Sequence, residues 1–274
     1  MKATWALFRK NLLDARWMLL AIGLALFGLS WLFVHITHRI EVRMREASAG
    51  PLRMAGMLRG LGGSTMDFST AAIEMAFWNH PFVLLMIAVW AISRGSAGVA
   101  GEIERGTMDL ILSRPVPRFA YLGSQIFAAL FGLALLVGAM IAGNQVGARY
   151  NTLNDYPSAW RLCQPGLNLL AFGLAIYGYT LWCSTMDLVR WRPNLIASIA
   201  TLAGFIAKVL SEIPSLEDYK WLEHLSIFKA YNPTEVITRG ETLAFNAGIL
   251  GLVGGIGLVL GFACFLRRDL PAGS

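Results

Sequence analysis

Charge is scarce in this chain. Asp, Glu, Lys and Arg make up only 15% of its 274 residues, 56% are apolar, and the mean hydropathy is +0.55. A soluble domain of this size carries about a quarter charged residues, so the composition excludes an ordinary soluble protein. Cysteine is scarcer still. Cys163, Cys183 and Cys264 are odd in number and none stands at metal-ligand spacing from another, which argues against a disulfide framework. Cys183 and Cys264 fall in apolar runs, where a thiol serves as a small packing group. Short alternating strands are missing, which excludes a transmembrane barrel. Acidic residues are missing from the interior of the apolar runs, which argues against a proton relay. Catalytic signatures are missing as well. The nearest approach to a phosphate loop, residues 60–65, lacks the lysine, and there is no His-Glu-x-x-His or G-x-S-x-G. The chain is therefore expected to hydrolyse no ATP itself and to be no enzyme.

Long apolar runs are what the chain has instead. Several reach the roughly 20 residues that cross a bilayer as a helix. The expected fold is an all-α polytopic membrane protein, one membrane domain over residues 1–274. Its six spans are placed at about 17–37, 76–93, 119–146, 166–185, 194–210 and 243–266. The first run is too long for a cleaved signal, and no small-x-small site follows it, so it is read as retained. Before it, Trp5, Phe8, Leu12 and Leu13 share one helical face, with Lys2, Arg9, Lys10 and Arg16 largely elsewhere. That pattern suits an interfacial helix over 1–16 better than a plain basic flank.

The net charge is +6. Because the basic residues lie between apolar runs, they read as orientation signals and lipid headgroup contacts, not as a nucleic-acid surface. With the N-terminus inside, twelve of the 23 lysines and arginines fall inside, and five of the remaining ones crowd into residues 38–74. Both termini are therefore placed on the cytoplasmic side.

The outer segments are modest. Residues 38–74 open with a helical stretch at 40–47, then pass Pro51 and a turn rich in glycine at Gly60, Gly62 and Gly63. In residues 211–242, Leu216, Tyr219, Leu222 and Leu225 follow helical spacing. His35, His38, Met44, Met54 and Met57 lack ligand spacing, so the methionines read as gap-fillers and no metal site is expected. Lys208 and Glu212, four apart, read as a snorkelling pair. Asn144 and Gln145 are polar at membrane depth, where they either bond between helices or line a translocation path. In the last span, Gly251/Gly255 and Gly257/Gly261 have G-x-x-x-G spacing, expected to serve packing within the chain.

One polar segment stands out between apolar flanks: residues 101–118, GEIERGTMDLILSRPVPR. Glu102 and Glu104 near its start suit the positive end of a helix. Thr107, Leu110 and Ile111 form a side for the bundle or for a partner's groove. Arg114, Pro115, Pro117 and Arg118 close it, and the prolines stop the helix. A loop kept only for solubility is usually shorter and less patterned. The expected element is a short cytoplasmic coupling helix between spans 2 and 3.

The segment resembles the permease subunits of ABC-2 type transporters. There a Glu, then Gly-Thr, Leu-Leu, Pro and Arg follow the second span at fixed spacing. This chain carries Glu102, Gly106, Thr107, Leu110, Ile111, Pro115 and Arg118. Where the family often continues with Gly-Lys, Gly123 and Ser124 stand here. Phe265, Arg267, Arg268, Asp269 and Leu270 resemble the close of a permease subgroup, as do residues 227–240 around Tyr231, Asn232 and Pro233. The resemblance implies the membrane subunit of a bacterial exporter in the cytoplasmic (inner) membrane. Its partners would be an ABC ATPase subunit, a second permease copy or related permease, and membrane lipids. ATP and magnesium would be bound by the ATPase, with no cofactor on this chain. Glu102, Glu104, Arg105, Gly106, Thr107, Leu110, Arg114, Pro115 and Arg118 would form the ATPase contact. Spans 2 and 5 would rearrange to open an outward or lateral path. Two other readings fit the same residues: a non-transporting scaffold or assembly factor of this fold, and a stand-alone secondary transporter.

Overall fold

An apolar run in lipid must satisfy its backbone hydrogen bonds internally, and helix is the solution open to a single segment. The computed structural model follows that rule. It describes residues 2–49, 77–113, 116–151, 157–211, 213, 221–224, 226–233, 236 and 242–268, and there is no strand among the described residues. The helices are α1 (Lys2–Ala49), α2 (Pro81–Ala97), α3 (Ala100–Glu104), α4 (Thr107–Leu112) and α5 (Arg118–Tyr150). They continue with α6 (Ala159–Met186), α7 (Trp191–Ser211), α8 (Ile227–Ala230) and α9 (Thr242–Arg267). Five of them, α1, α5, α6, α7 and α9, are long and apolar enough to cross a membrane, while α2 is apolar but only 17 residues long.

The N-terminus differs from the expected separate interfacial helix. α1 runs unbroken for 48 residues, because nothing before Gly23 is a helix breaker. At 1.5 Å per residue it is about 72 Å long, more than twice the hydrocarbon thickness of about 30 Å. Of its expected interfacial face, Phe8 is buried against the protein, whereas Trp5 and Leu13 are exposed. The Phe8 ring lies 5.0 Å from Phe127 and 5.8 Å from Phe131 of α5, and Trp5 stacks on Phe8.

The bundle is organised around α6. This helix is the most buried of the five long ones. It packs along α9 and α2, antiparallel to α5, and against α7. α1 lies along α5. α6 and α9 approach closely, and a side-chain carbon on Gly257 would collide with the Gly178 backbone and one on Gly254 with Leu174. The expected glycine pairs therefore divide. Gly257 faces α6 and Gly261 lies near Trp182, whereas Gly251 and Gly255 meet nothing within 4 Å. Trp90 of α2 is fully buried and donates from its indole nitrogen to the Ala129 carbonyl of α5 at 3.1 Å.

α6 also begins earlier than expected, at Ala159, and carries Pro165 inside it. The stretch 40–47 is the end of α1. Pro51, Met54, Met57, Gly60, Gly62, Gly63, Glu212, Leu216, Tyr219, Leu225, Asp269 and Leu270 lie outside the described residues.

Candidate functional site

The helix ends converge at one end of the bundle. The start of α1, the end of α2, all of α3 and α4, the start of α5, the end of α6 and the end of α9 meet there through side-chain hydrogen bonds. The segment expected to form one coupling helix folds instead as an elbow of two short helices, α3 and α4. Gly106 joins them at φ 67, a left-handed conformation that costs glycine little and other residues about 1–2 kcal/mol.

Glu102 is the hub of the elbow, and its side chain is buried at 3% exposure. Lys10 of α1 donates to both carboxylate oxygens at 3.3 Å. Arg105 donates to Oε1 at 2.7 Å, and the Thr107 hydroxyl donates to Oε2. One carboxylate thus ties α1, α3 and α4 together. Burial alone raises a carboxyl's pKa. The Thr107 hydrogen bond and the charges of Lys10 and Arg105 outweigh it, so the Glu102 carboxyl lies below its ordinary value.

A second knot joins the elbow to α2 and to the turn after α6. Arg190 donates from its guanidinium to the Ser93 hydroxyl at 2.9 Å, the Ser93 carbonyl at 3.2 Å and the Ser96 hydroxyl at 3.3 Å. Its backbone N–H donates to Glu104 Oε2 at 3.1 Å. Burial, and then the nearby charge of Arg105, weaken this guanidinium's hold on its proton, with Glu104 partly offsetting them. It stays charged at neutral pH all the same. Ser184 of α6 accepts from the Ala100 N–H at 2.9 Å and donates to the Ser96 carbonyl at 3.0 Å. The buried Tyr121 hydroxyl of α5 donates to the Gly98 carbonyl at 2.6 Å.

A third knot closes the C-terminal helix. Arg118 donates to the Arg268 carbonyl at 2.9 Å and to the Phe265 carbonyl at 3.4 Å, and Arg268 donates to the Thr185 carbonyl at 2.6 Å. These arginines satisfy terminal carbonyls of α6 and α9 that have no helical partner.

The elbow has an anchored side and an open side. Met108 is 2% exposed and Leu110 is 68% exposed, two residues apart on α4. A single exposed leucine is ordinary. This one stands beside exposed Asp109, with Glu104, Arg105 and Gly106 on the same elbow.

No family model matches the chain. A curated relative, the uncharacterized membrane protein YdbK of Bacillus subtilis (strain 168), is 26% identical over 212 residues, which is 69% of this chain and 80% of that protein. Together with the five apolar helices, this places the chain in a membrane. It is a polytopic helical membrane protein.

In this membrane protein the expected contact residues separate by exposure. Glu104, Arg105, Gly106 and Leu110 lie on the open side. Glu102 does not; its carboxylate is spent inside the clamp and cannot face a partner. Thr107 is half-buried on that carboxylate, and Arg118 grips the end of α9. Arg114 and Pro115 lie outside the described residues. Asn144 is buried next to Gly143, where α5 meets α1 at Phe27 and Ser30. Gln145 donates to the Pro157 carbonyl at 3.0 Å, near the start of α6. His35 is engaged with Asn151 at 2.9 Å. Among the described residues, no group of three His, Cys, Asp or Glu side chains could hold a metal ion.

Lys10, Arg190, Ser184 and Arg268 had no assigned part in this site from sequence. Lys10 and Glu102 are 92 residues apart, and Ser184 and Ser96 are 88 apart. No local spacing signals pairs like these.

Proposed function

We propose that this protein is the permease subunit of an ATP-driven exporter, and that the α3–α4 elbow couples it to a separate ATPase subunit. The observation that carries the reading is the two-sidedness of the elbow. Its inner side is tied to the ends of α1, α2, α6 and the following turn. Its outer side presents Glu104, Arg105, Asp109 and Leu110. A push on such an element reaches several membrane helices at once, because buried polar networks resist partial breakage. The resemblance of residues 102–118 to ABC-2 permeases supports the same assignment. The partner binds ATP and magnesium; this chain supplies the path, with a second permease copy beside it.

Within this reading α2 is the sixth crossing. Its 17 residues lie at the lower end of spanning length, and His80 accepts from the Phe82 N–H at its start. The clamp end is cytoplasmic. Arg9, Lys10, Arg16, Arg94, Arg105, Arg118, Arg190, Arg192, Arg267 and Arg268 are among the twelve of the 23 lysines and arginines on that side, and the placement rests on the elbow, the side that a soluble ATPase would reach.

The test is a mild-detergent pull-down of the tagged chain from its native membrane, with partners identified by mass spectrometry. Stoichiometric recovery of a protein with a phosphate-loop motif is expected, and its loss in Leu110→Asp with the chain still folded. Clean recovery of the folded chain alone overturns the reading.

A further inference from the structure

Arg190 stands in the turn 187–190 between α6 and α7, and its three bonding groups go to three different helices. Its backbone N–H donates to Glu104 Oε2 of α3 at 3.1 Å. Its guanidinium donates to the Ser93 hydroxyl, the Ser93 carbonyl and the Ser96 hydroxyl, all on α2. Its carbonyl accepts from the Asn194 N–H at 3.3 Å, the first helical bond of α7. A guanidinium can reach several acceptors at once because its donors form a fixed fork.

The attachments are closely packed. A side-chain carbon on Gly101 of α3 would lie 3.2 Å from Arg190 Cδ, so the arginine stem runs close over the backbone of α3. α2 and α3 part at Gly98 and Val99, and Arg190 bonds on both sides of that break. Ser184 spans the break too, accepting from the Ala100 N–H and donating to the Ser96 carbonyl, but it does so from within α6. Arg190 instead carries the connection on to α7. The Glu104 carboxylate sits at the N-terminal end of that helix, where negative charge is favourable.

α7 is the least buried of the five long helices. Leu195, Ile196, Ile199 and Leu202 are each half exposed or more, and lipid around such a face does little to fix its position. The middle of α7 rests on α6 where Thr201 meets the Tyr179 hydroxyl. Further along, Ser226 donates to the Gly204 carbonyl and Phe228 packs on Phe205. At the clamp end the elbow's hydrogen bond to the segment that opens α7 comes from the Arg190 N–H.

We infer that Arg190 is a positioning residue, the joint through which the elbow sets the place of α7 against α2. The turn after α6 moves with α3, and α7 follows the turn. α1 is tied to the elbow separately, by Lys10 and Glu102. The joint itself needs no ATPase; its use in export rests on the exporter reading.

The experiment measures distances between paired spin labels on the full-length chain in detergent, with Cys163, Cys183 and Cys264 replaced by alanine. One pair joins the elbow to α7, Leu110→Cys with Leu195→Cys. A control pair joins the elbow to α1, Leu110→Cys with Trp5→Cys. All three positions are half exposed or more. Both pairs are expected to give narrow distributions when nothing else is changed. Arg190→Ala should broaden or shift the α7 pair and leave the α1 pair narrow. Ser93→Ala with Ser96→Ala removes two of the acceptors from the α2 side of the joint and should reproduce that pattern, with alanine well tolerated in a helix. Size-exclusion confirms that each variant is folded. An α7 pair that Arg190→Ala leaves unmoved overturns the inference. Equal broadening of both pairs overturns it as well, since that is a general loss of packing and not the loss of a joint. The distances are measured without a partner, so a pull-down that recovers no ATPase leaves them standing, and unmoved distances leave the pull-down standing.

Discussion

Glu102 is a buried carboxylate whose partners come from α1, from α4 and from the turn between α3 and α4, and its removal should be felt more than that of any exposed charge on the elbow. Hydrogen bonds to a charged group contribute about 1.5–3 kcal/mol each. Glu102→Ala is expected to destabilise the protein by about that amount, read as a lowered unfolding midpoint in detergent, while the exposed Arg105→Ala stays within about 1 kcal/mol. The pH dependence follows from the lowered carboxyl. Its folded pKa is below the ordinary 4.5, so its contribution is complete above the unfolded value and is lost as pH falls through the folded one. Stability attributable to Glu102 should be flat at neutral pH and fade below about pH 4.5. A difference between the original chain and Glu102→Gln that persists unchanged at pH 3 would contradict this assignment. Gly106→Ala is expected to cost about 1–2 kcal/mol through its left-handed backbone, with Gly106→Asn cheaper, as the same unfolding scan can show.

At the scale of elements, close helix approach is the main device. Lipid supplies little hydrophobic drive between helices, so small residues and van der Waals contact hold them together. The α6–α9 contact at Gly178 and Gly257 is one such close approach, and α9 carries a built-in control. Gly257→Val forces the two backbones apart and should cost about 1–3 kcal/mol, the usual penalty of overpacking. Gly251→Val points into open space within the chain and should be nearly silent. Equal losses for both in a detergent unfolding assay would show that Gly251 packs on something outside this chain. The unbroken α1 is explained at this scale as well. Its first turns are held along α5 by Phe8, so one residue of a face with the look of a lipid anchor packs on the protein.

For the whole molecule, orientation decides which end a soluble partner can reach. Leu110 is 68% exposed on the elbow, and Trp160 is 79% exposed at the start of α6 on the other end. With Cys163, Cys183 and Cys264 replaced by alanine, an impermeant maleimide applied to intact cells should label Trp160→Cys at once. It should label Leu110→Cys only after the membrane is opened. The reverse pattern would place the elbow outside and end its role in coupling. The clamp also predicts coupling between distant parts: loosening Arg268 should loosen the end of α6, since it donates to the Thr185 carbonyl.

By itself the sequence determined that this is a helical membrane protein, roughly where its helices lie, and which polar segment interrupts them. Those properties follow from local composition, because a long apolar run in lipid has one backbone solution. Helix ends were legible to within about five residues except at the start of α6, expected at 166 and found at Ala159, and in α1, expected to divide at 17 and to end at 37 but unbroken from Lys2 to Ala49. Pattern reports which face is apolar, and cannot tell lipid from a neighbouring helix. Only the tertiary structure decided that Glu102 turns inward to Lys10, that Arg190 reaches back to Ser93 and Ser96, and that its N–H meets Glu104. The reason is sequence distance: these partners are brought together by the order in which the helices pack, which no spacing along the chain encodes.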